Sequence, residues 1–340
     1  MTLDEFIKNN SNELKNNCVL LIVCNTKSNT IVNGNYDNFS INTEFLSDDE
    51  LQEITSMAVS LDLPFRIFYD EKDFIDNIIN ANNLDRFIVY NSAQNGVGPG
   101  RKALIPSICK YLNIRHTGSD SYRVCLCRDK FAIASILKAN NINVPKFQLY
   151  KGNNDLSLFE ATKYIAKPLY ESSSIGISKN NIFNGNNIPY TYLNTLIKNL
   201  KQPLLIQEFI SGYEIEVPIL VGKQSLYAFS PVVLHKNNNS LIIGDEILDY
   251  NLIFNDDYTF SSLPNNINDK EVKETAIKTA ELLGLKGLCR VDFRLKLNGE
   301  FFVTDVSTNP HFINHSSVNF AFKKEGKTDS DIFKTILMLS

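Results

Sequence analysis

The chain has 340 residues, 43% hydrophobic and 21% charged, enough for two or three domains around real cores. A net charge of -4 and a pI of about 5.7 argue against a general nucleic-acid binder, because no basic face is implied, although a local basic pocket is compatible with them. Six cysteines with no CxxC pair and only four histidines argue against a zinc site, and the cysteines read as reduced core residues.

The N-terminus lacks a basic stretch followed by an apolar one, and the apolar run CVLLIVC at 18–24 is strand-length, far short of a membrane span. A cytoplasmic protein with no membrane partner is expected. Residues 18–24 read as a buried strand, and 48–61 as a helix with Leu51, Ile54, Ala58 and Leu61 on one face. FRIFY at 65–69 and RFIVY at 86–90 are two more strands, and 101–114 is a closing helix. The alternation implies a parallel sheet with helices on its faces, ending near residue 118. GVGPG at 96–100 looks like a weak phosphate loop. It lacks the G-x-G-x-x-G spacing, and Pro99 removes a donor, so a turn is the plainer reading.

A middle unit spans 119–206. It holds a helix at 129–140, strands at 143–150, 163–170 and 204–210, the loop ESSSIGISKN, and an Asn- and Gly-rich mobile connection at 179–189. A third unit spans 207–340, with strands near 214–221 and 226–234. Its helix at 269–283 has Asn268 and Glu271 at capping-box spacing and Gly284 as its stop.

The next segment, 288–306, carries Asn298-Gly299 between two alternating runs, a hairpin signal that implies a two-residue type I′ turn. Leu297 then faces Glu300. Counting back places Asp292 opposite Asp305 and Arg290 opposite Ser307, all on one face with Lys296. Val291, Phe293, Phe302 and Thr304 fall on the other. Facing carboxylates on adjacent strands repel, so the pair binds a cation, shares a proton or sits in open water. A cation site made of oxygen ligands favours Mg²⁺ or Mn²⁺, and Mg²⁺ commonly completes its shell with nucleotide phosphates.

Basic residues that could hold phosphates exist. Lys167 ends an apolar strand and must snorkel or meet an anion; Lys130 begins a helix and is by itself an ordinary surface lysine. Ser172, Ser173, Ser174 and Gly176 could cover phosphates as a lid, or form a polar turn. In QEFISGYEIEV, Glu214 and Glu216 share a strand face suited to ribose or an amino group, or to plain solvent.

Together HTGSDSYRVCLCRDK (116–130), NVPKF (143–147), AKPLYESSSIGIS (166–178), QEFISGYEIEV (207–217), CRVDFRL (289–295) and DVSTNPHFINHS (305–316) resemble the ATP-grasp enzymes, in the D-alanine–D-alanine ligase-like branch. The likeness covers roughly residues 86–320. It implies an α/β (α+β) fold of three domains: an N-terminal α/β domain (1–118), a central lid domain (119–206) and a C-terminal domain with the metal site (207–340). Nucleotide would bind between the last two.

The resemblance also implies ATP and Mg²⁺ (or Mn²⁺) as cofactors and small carboxylate and amine substrates joined through an acyl phosphate. A homodimer is compatible with it, since relatives often pair through the first domain. Carried over by position, Lys130 and Lys167 would hold ATP phosphates, with Ser173 and Ser174 in the covering loop. Glu208, Phe209 and Ile210 would line adenine, and Glu214 would bind ribose. Asp292, Asp305 and Ser307 would take metal. Arg290 would stabilise the charge on the reacting carbonyl. His311 would lie beside the acyl group, and Ser316 would contact the second substrate's carboxylate.

The chain departs from the branch at several points. Asp305-Val306-Ser307 stands for Glu-x-Asn, His311 for a glycine, Ser172 for a glycine, and Gly100-Arg101-Lys102 for Gly-Glu; a Tyr-x-x-Lys lysine is missing near DYNLIF at 249–254. No first-domain glutamate follows CVLLIVC closely. Arg101 and Lys102 near the first substrate imply a more acidic acyl donor. The leading expectation is an ATP-dependent carboxylate–amine ligase. The alternatives are a true D-alanine–D-alanine ligase, a catalytically silent nucleotide-binding relative, and a kinase that leaves its phosphate on the product.

Overall fold

Three sheets follow one another along the chain. The computed structural model describes residues 1–14, 17–29, 39, 41–96, 98–152, 156, 161–237, 243–264 and 267–340. The first sheet is parallel, in the order Phe65–Phe68, Val19–Cys24, Phe87–Ser92, Arg115–His116. Its central strands are buried on both faces, which is why they read as continuous apolar runs. The helix Asp48–Ser60 starts at Ser47, whose hydroxyl accepts from the Glu50 amide while the Glu50 carboxylate accepts from the Ser47 amide.

The second sheet is antiparallel, in the order Phe147–Tyr150, Leu204–Glu208, Lys163–Pro168, Ile182–Asn184. The expected mobile connection at 179–189 therefore contributes an edge strand, paired residue for residue with 163–165. Its asparagines do turn work: Asn181 donates to the Ala166 and Gly176 carbonyls.

The third sheet runs Tyr258–Ser262, Val232–Lys236, Tyr213–Val221, Gly287–Leu295, Phe301–Ser307, with Leu226–Ala228 paired to Tyr213–Val221. The single strand expected near 226–234 is broken between Ala228 and Val232, where Pro231 cannot donate to a ladder. The helix Asp269–Leu283 covers the sheet and stops at Gly284, with φ +63°. Asn268 caps it by accepting from the Lys270 amide, so the expected capping box with Glu271 does not form. The expected helix at 101–114 is shorter, Leu104–Tyr111, because turns closed by Gly98 and Gly100 carbonyls precede it.

The hairpin corrects the turn and keeps the pairing that matters. Asn298 does not enter the left-handed region; only Gly299 does, with φ +90°. The Lys296 amide donates to Glu300 O at 2.8 Å, which makes the loop three residues long and shifts the near-turn pairs to Arg294↔Phe302 and Phe293↔Val303. A bulge at Thr304 then restores Asp292↔Asp305 and Arg290↔Ser307. Phe302 and Thr304 are thereby moved off the core face, which Val291, Phe293, Leu295, Val303 and Val306 fill.

The first and third sheets share one hydrophobic cluster. Leu20 and Ile54 pack with Phe312, Phe322 and Phe333, and the helix Asp329–Met338 lies against Asp48–Ser60. None of the six cysteines is in a disulfide, and five are buried. Among the described residues no helix is long and apolar enough to cross a membrane.

Candidate active site

One cavity of about 690 Å³ opens between the three sheets, and the residues to which the resemblance gave nucleotide, metal and substrate roles line it: Lys130, Lys167, Ser173, Ser174, Glu208, Phe209, Ile210, Glu214, Arg290, Asp292, Asp305, Ser307, His311 and Ser316. The glycine-rich stretch at 96–100 does not. Its described residues make turns away from the cavity, and Val97 lies outside the described residues.

The third sheet sets three carboxylates abreast. Glu216 is the ladder partner of Asp292 on one side, and Asp305 is its partner on the other. Such a row repels itself. Arg290, two residues along the same face, relieves it with Nε at 2.7 Å and Nη2 at 2.9 Å from the Asp292 oxygens and Nη1 at 2.9 Å from Glu216. Burial pushes the Glu216 carboxyl up to about 7 against the pull of Arg290, with Asp292 adding to the rise. Asp292 is raised by the same burial. Arg290 is itself partly buried, and loss of water disfavours its charge, but Asp292 and Glu216 hold its pKa above the ordinary value. Ser317 also donates to Glu216.

Asp305 is the open member of the row, its side chain 35% exposed to the cavity, and Lys130 Nζ reaches it at 3.3 Å. Lys130 is fixed at the start of its helix by the Asp129 cap, and its Nζ donates to Glu171 O at 2.7 Å. Lys167 looks into the same space. Burial lowers its pKa, and Asp305 and Glu214 oppose that shift. The cavity centre is therefore a place where two lysines and an arginine meet a row of carboxylates.

The oxygen donors suit a hard cation. Asp292 and Asp305 face each other on one side of the sheet, with Ser307 beyond them, and Mg²⁺ needs only one or two carboxylates before phosphates and water complete its shell. Among the described residues no three His, Cys, Asp or Glu side chains gather as a ready ligand set. The donor count fits a metal brought in with phosphates better than one held by protein alone.

The loop over this centre is strained. Ser173 and Ser174 both sit in the left-handed region, φ +51° and +53°, where a Cβ costs about 1–2 kcal/mol per residue. Ser174 Oγ is tied to Leu248 O at 2.8 Å. Gly176, at φ +74°, has Leu200 Cδ1 2.7 Å and Pro168 Cγ 2.9 Å from where a Cβ would stand, so both the backbone and the space favour glycine there.

At the far wall, Phe209 lies under Arg294, whose guanidinium carbon is 5.2 Å from the ring centroid. Arg294 Nε is 2.5 Å from Glu214. Sequence reasoning passed over Arg294 and weighed Glu216 only with Glu214, for ribose, an amino group or plain solvent, not as the neighbour of Asp292; parity does place 290, 292 and 294 on one face, as it does 214 and 216. Ser316 caps the helix Ser317–Lys324 by accepting from the Asn319 amide at 3.0 Å.

Arg101 was expected near the first substrate. Its guanidinium instead lies inside the protein, 3.4 Å from Glu44 and 3.2 Å from Glu171, with Nε donating to Gln94 O at 2.6 Å. Burial would raise the Glu44 carboxyl, but Lys102, Arg128 and Arg101 pull it below the ordinary range. Lys102 is pushed down to about 8, by burial above all. Of the basic pair expected to favour a more acidic acyl donor, Arg101 is thus occupied, and Lys102 lines the cavity with its Nζ 3.7 Å from Glu44. The first domain does bring glutamates to the cavity: Glu44, Glu50 and Glu53 all line it.

A family model described as the D-ala D-ala ligase C-terminus matches residues 137–338. The D-alanine–D-alanine ligase B of Clostridium tetani is 27% identical over 79% of this chain and 76% of its own length. The D-alanine–D-alanine ligase of Aquifex aeolicus is 25% identical over 70% of this chain and 78% of its own. Among solved structures, the Bacillus anthracis D-alanine–D-alanine ligase complexed with ATP superposes with a TM-score of 0.68 over 95% of this chain and 97% of its own, at 15% identity, a likeness of fold.

Proposed function

The chain belongs to the D-alanine–D-alanine ligase family of ATP-grasp enzymes, and from that premise we propose that it joins a small carboxylate to a small amine using ATP, with D-alanine as both partners the more specific reading. The observation that carries the proposal is the convergence of Lys130, Lys167, Arg290, Asp292 and Asp305 on one cavity. Phosphoryl transfer to a carboxylate brings two anions together, and cations with fixed positions are what lower that barrier.

In this reading Lys130 and Lys167 hold the phosphates, and the loop at Ser173 and Ser174 closes over them. Phe209 and its neighbours Glu208 and Ile210 receive adenine, and Glu214 the ribose. Mg²⁺, held by Asp292 and Asp305 with Ser307, would neutralise phosphate charge. Arg290 stabilises the oxyanion formed on the reacting carbonyl. Closure excludes water, which would otherwise hydrolyse the acyl phosphate. Residues 1–118, 119–206 and 207–340 act as the three domains of the enzyme, and use of ATP fits a cytoplasmic reaction.

The test is release of ADP and phosphate with Mg²⁺ across a panel of D- and L-amino acids, with mass spectrometry of each mixture. The expected product from D-alanine is the dipeptide, at the summed mass less one water. Phosphate retained on the product would instead mean a kinase. ATP binding without turnover under every pairing would mean a silent relative.

A further inference from the structure

His311 stands on the cavity wall in an unusual setting. Pro310 before it restricts the backbone, and Phe312 after it is buried against Tyr90 and Phe333, the latter stacked at 5.8 Å. Glu53, on the helix Asp48–Ser60, receives the amide of Asn314 at 3.3 Å and pins the same loop. The imidazole between these anchors keeps 40% exposure, and its Nε2 is 3.5 Å from Glu50 Oε1. Glu50 is itself held, since its other oxygen accepts the Ser47 amide at the cap of that helix. No described residue bonds His311 Nδ1.

We propose that His311, oriented by Glu50, takes the proton from the incoming amine; this rests on the ligase reading. An amine arrives as an ammonium and cannot attack in that form. One N–H proton passes to His311 Nδ1. The freed nitrogen pair forms the bond to the acyl carbon, and the bond from that carbon to the phosphate oxygen breaks with its electrons on phosphate. The second N–H proton leaves on the phosphate. The imidazolium produced stands beside the Glu50 carboxylate, so the proton transfer creates an ion pair where none existed.

The charged groups around the ring suit this role. The protein packed about it holds its pKa below the ordinary imidazole value, so it waits in the neutral, accepting form. Glu50 and Glu53 on the helix and Asp256 on the turn beyond Tyr250–Phe254 favour the protonated form, whereas Arg290 on the neighbouring strand opposes it. Three carboxylates at this end of the cavity also suit the approach of an ammonium. Glu50 is a positioning residue, acting through His311.

The experiment compares two nucleophiles on the same acyl phosphate. Hydroxylamine is unprotonated at neutral pH and needs no base, whereas an amino acid does. His311→Gln is expected to lose about 10²–10⁴-fold in amide formation at neutral pH, while the hydroxamate still forms. Its amide rate should climb with pH as the free amine appears. Glu50→Gln keeps the capping oxygen and should lower kcat less. It should also move the acid limb of the pH profile to lower pH, because the charge that raises the imidazole pKa is gone. Equal loss of amide and hydroxamate in H311Q, or no loss of either, overturns the proposal, and so does an E50Q profile that does not move. Wild-type protein that yields neither ADP nor hydroxamate with any acid overturns the ligase reading, and this proposal with it.

Discussion

The cavity contains two charged clusters built in opposite ways. In one, Glu216, Asp292, Asp305 and Arg290 stand on three adjacent strands of a regular sheet, each placed by ladder register. In the other, Glu44, Arg101, Arg128, Glu171 and Gln202 come from five separate segments and meet only after the chain has folded. The first cluster faces the open cavity through Asp305, 35% exposed; the second is closed, with Arg101 and Glu44 side chains 1% and 2% exposed. On the proposed function the open charge would serve chemistry, whereas the closed charge ties the first domain to the loop at Glu171 and Ser172.

Two variants test that division, and a third tests the loop above the open cluster. Arg101→Met removes the nearer of the two arginines that Glu44 and Glu171 share and leaves them the more distant Arg128, and the expected loss is about 3 kcal/mol in urea unfolding. The KM for ATP of the folded fraction should be unchanged. Arg290→Lys keeps a charge but loses the fork that spans Asp292 and Glu216, so kcat should fall about 10²–10³-fold with a smaller stability loss. If R290K unfolds as readily as R101M while its kcat holds, the two clusters do not divide as described. Ser173→Gly gives the smallest effect. It releases left-handed strain and should raise stability by about 1 kcal/mol, while turnover falls because the hydroxyl is gone. Unchanged turnover would remove Ser173 from the site.

The two clusters also differ in how far the sequence reveals them. The period of a strand is two, so Arg290, Asp292 and Arg294 share a face whatever the rest of the chain does, and likewise Glu214 and Glu216. The facing of Asp292 and Asp305 was readable for a less secure reason. The loop is one residue longer than Asn298-Gly299 suggests, and the bulge at Thr304 compensates. Counting was right at the site and wrong beside the turn, where Phe302 changed face.

What the chain alone determined is therefore the local arithmetic: the apolar strands, the amphipathic helix from residue 48, the glycine stop at 284, and the carboxylate and arginine faces of the third sheet. Those depend on backbone geometry repeated every two or 3.6 residues. Tertiary structure decided the rest. It brought Glu216 beside Asp292 by choosing which strands are neighbours, gave Arg101 to Glu44 and Glu171 instead of to substrate, and set His311 against Glu50. Those contacts join segments tens to hundreds of residues apart, and burial fixes their charges, so no local pattern of residues can announce them.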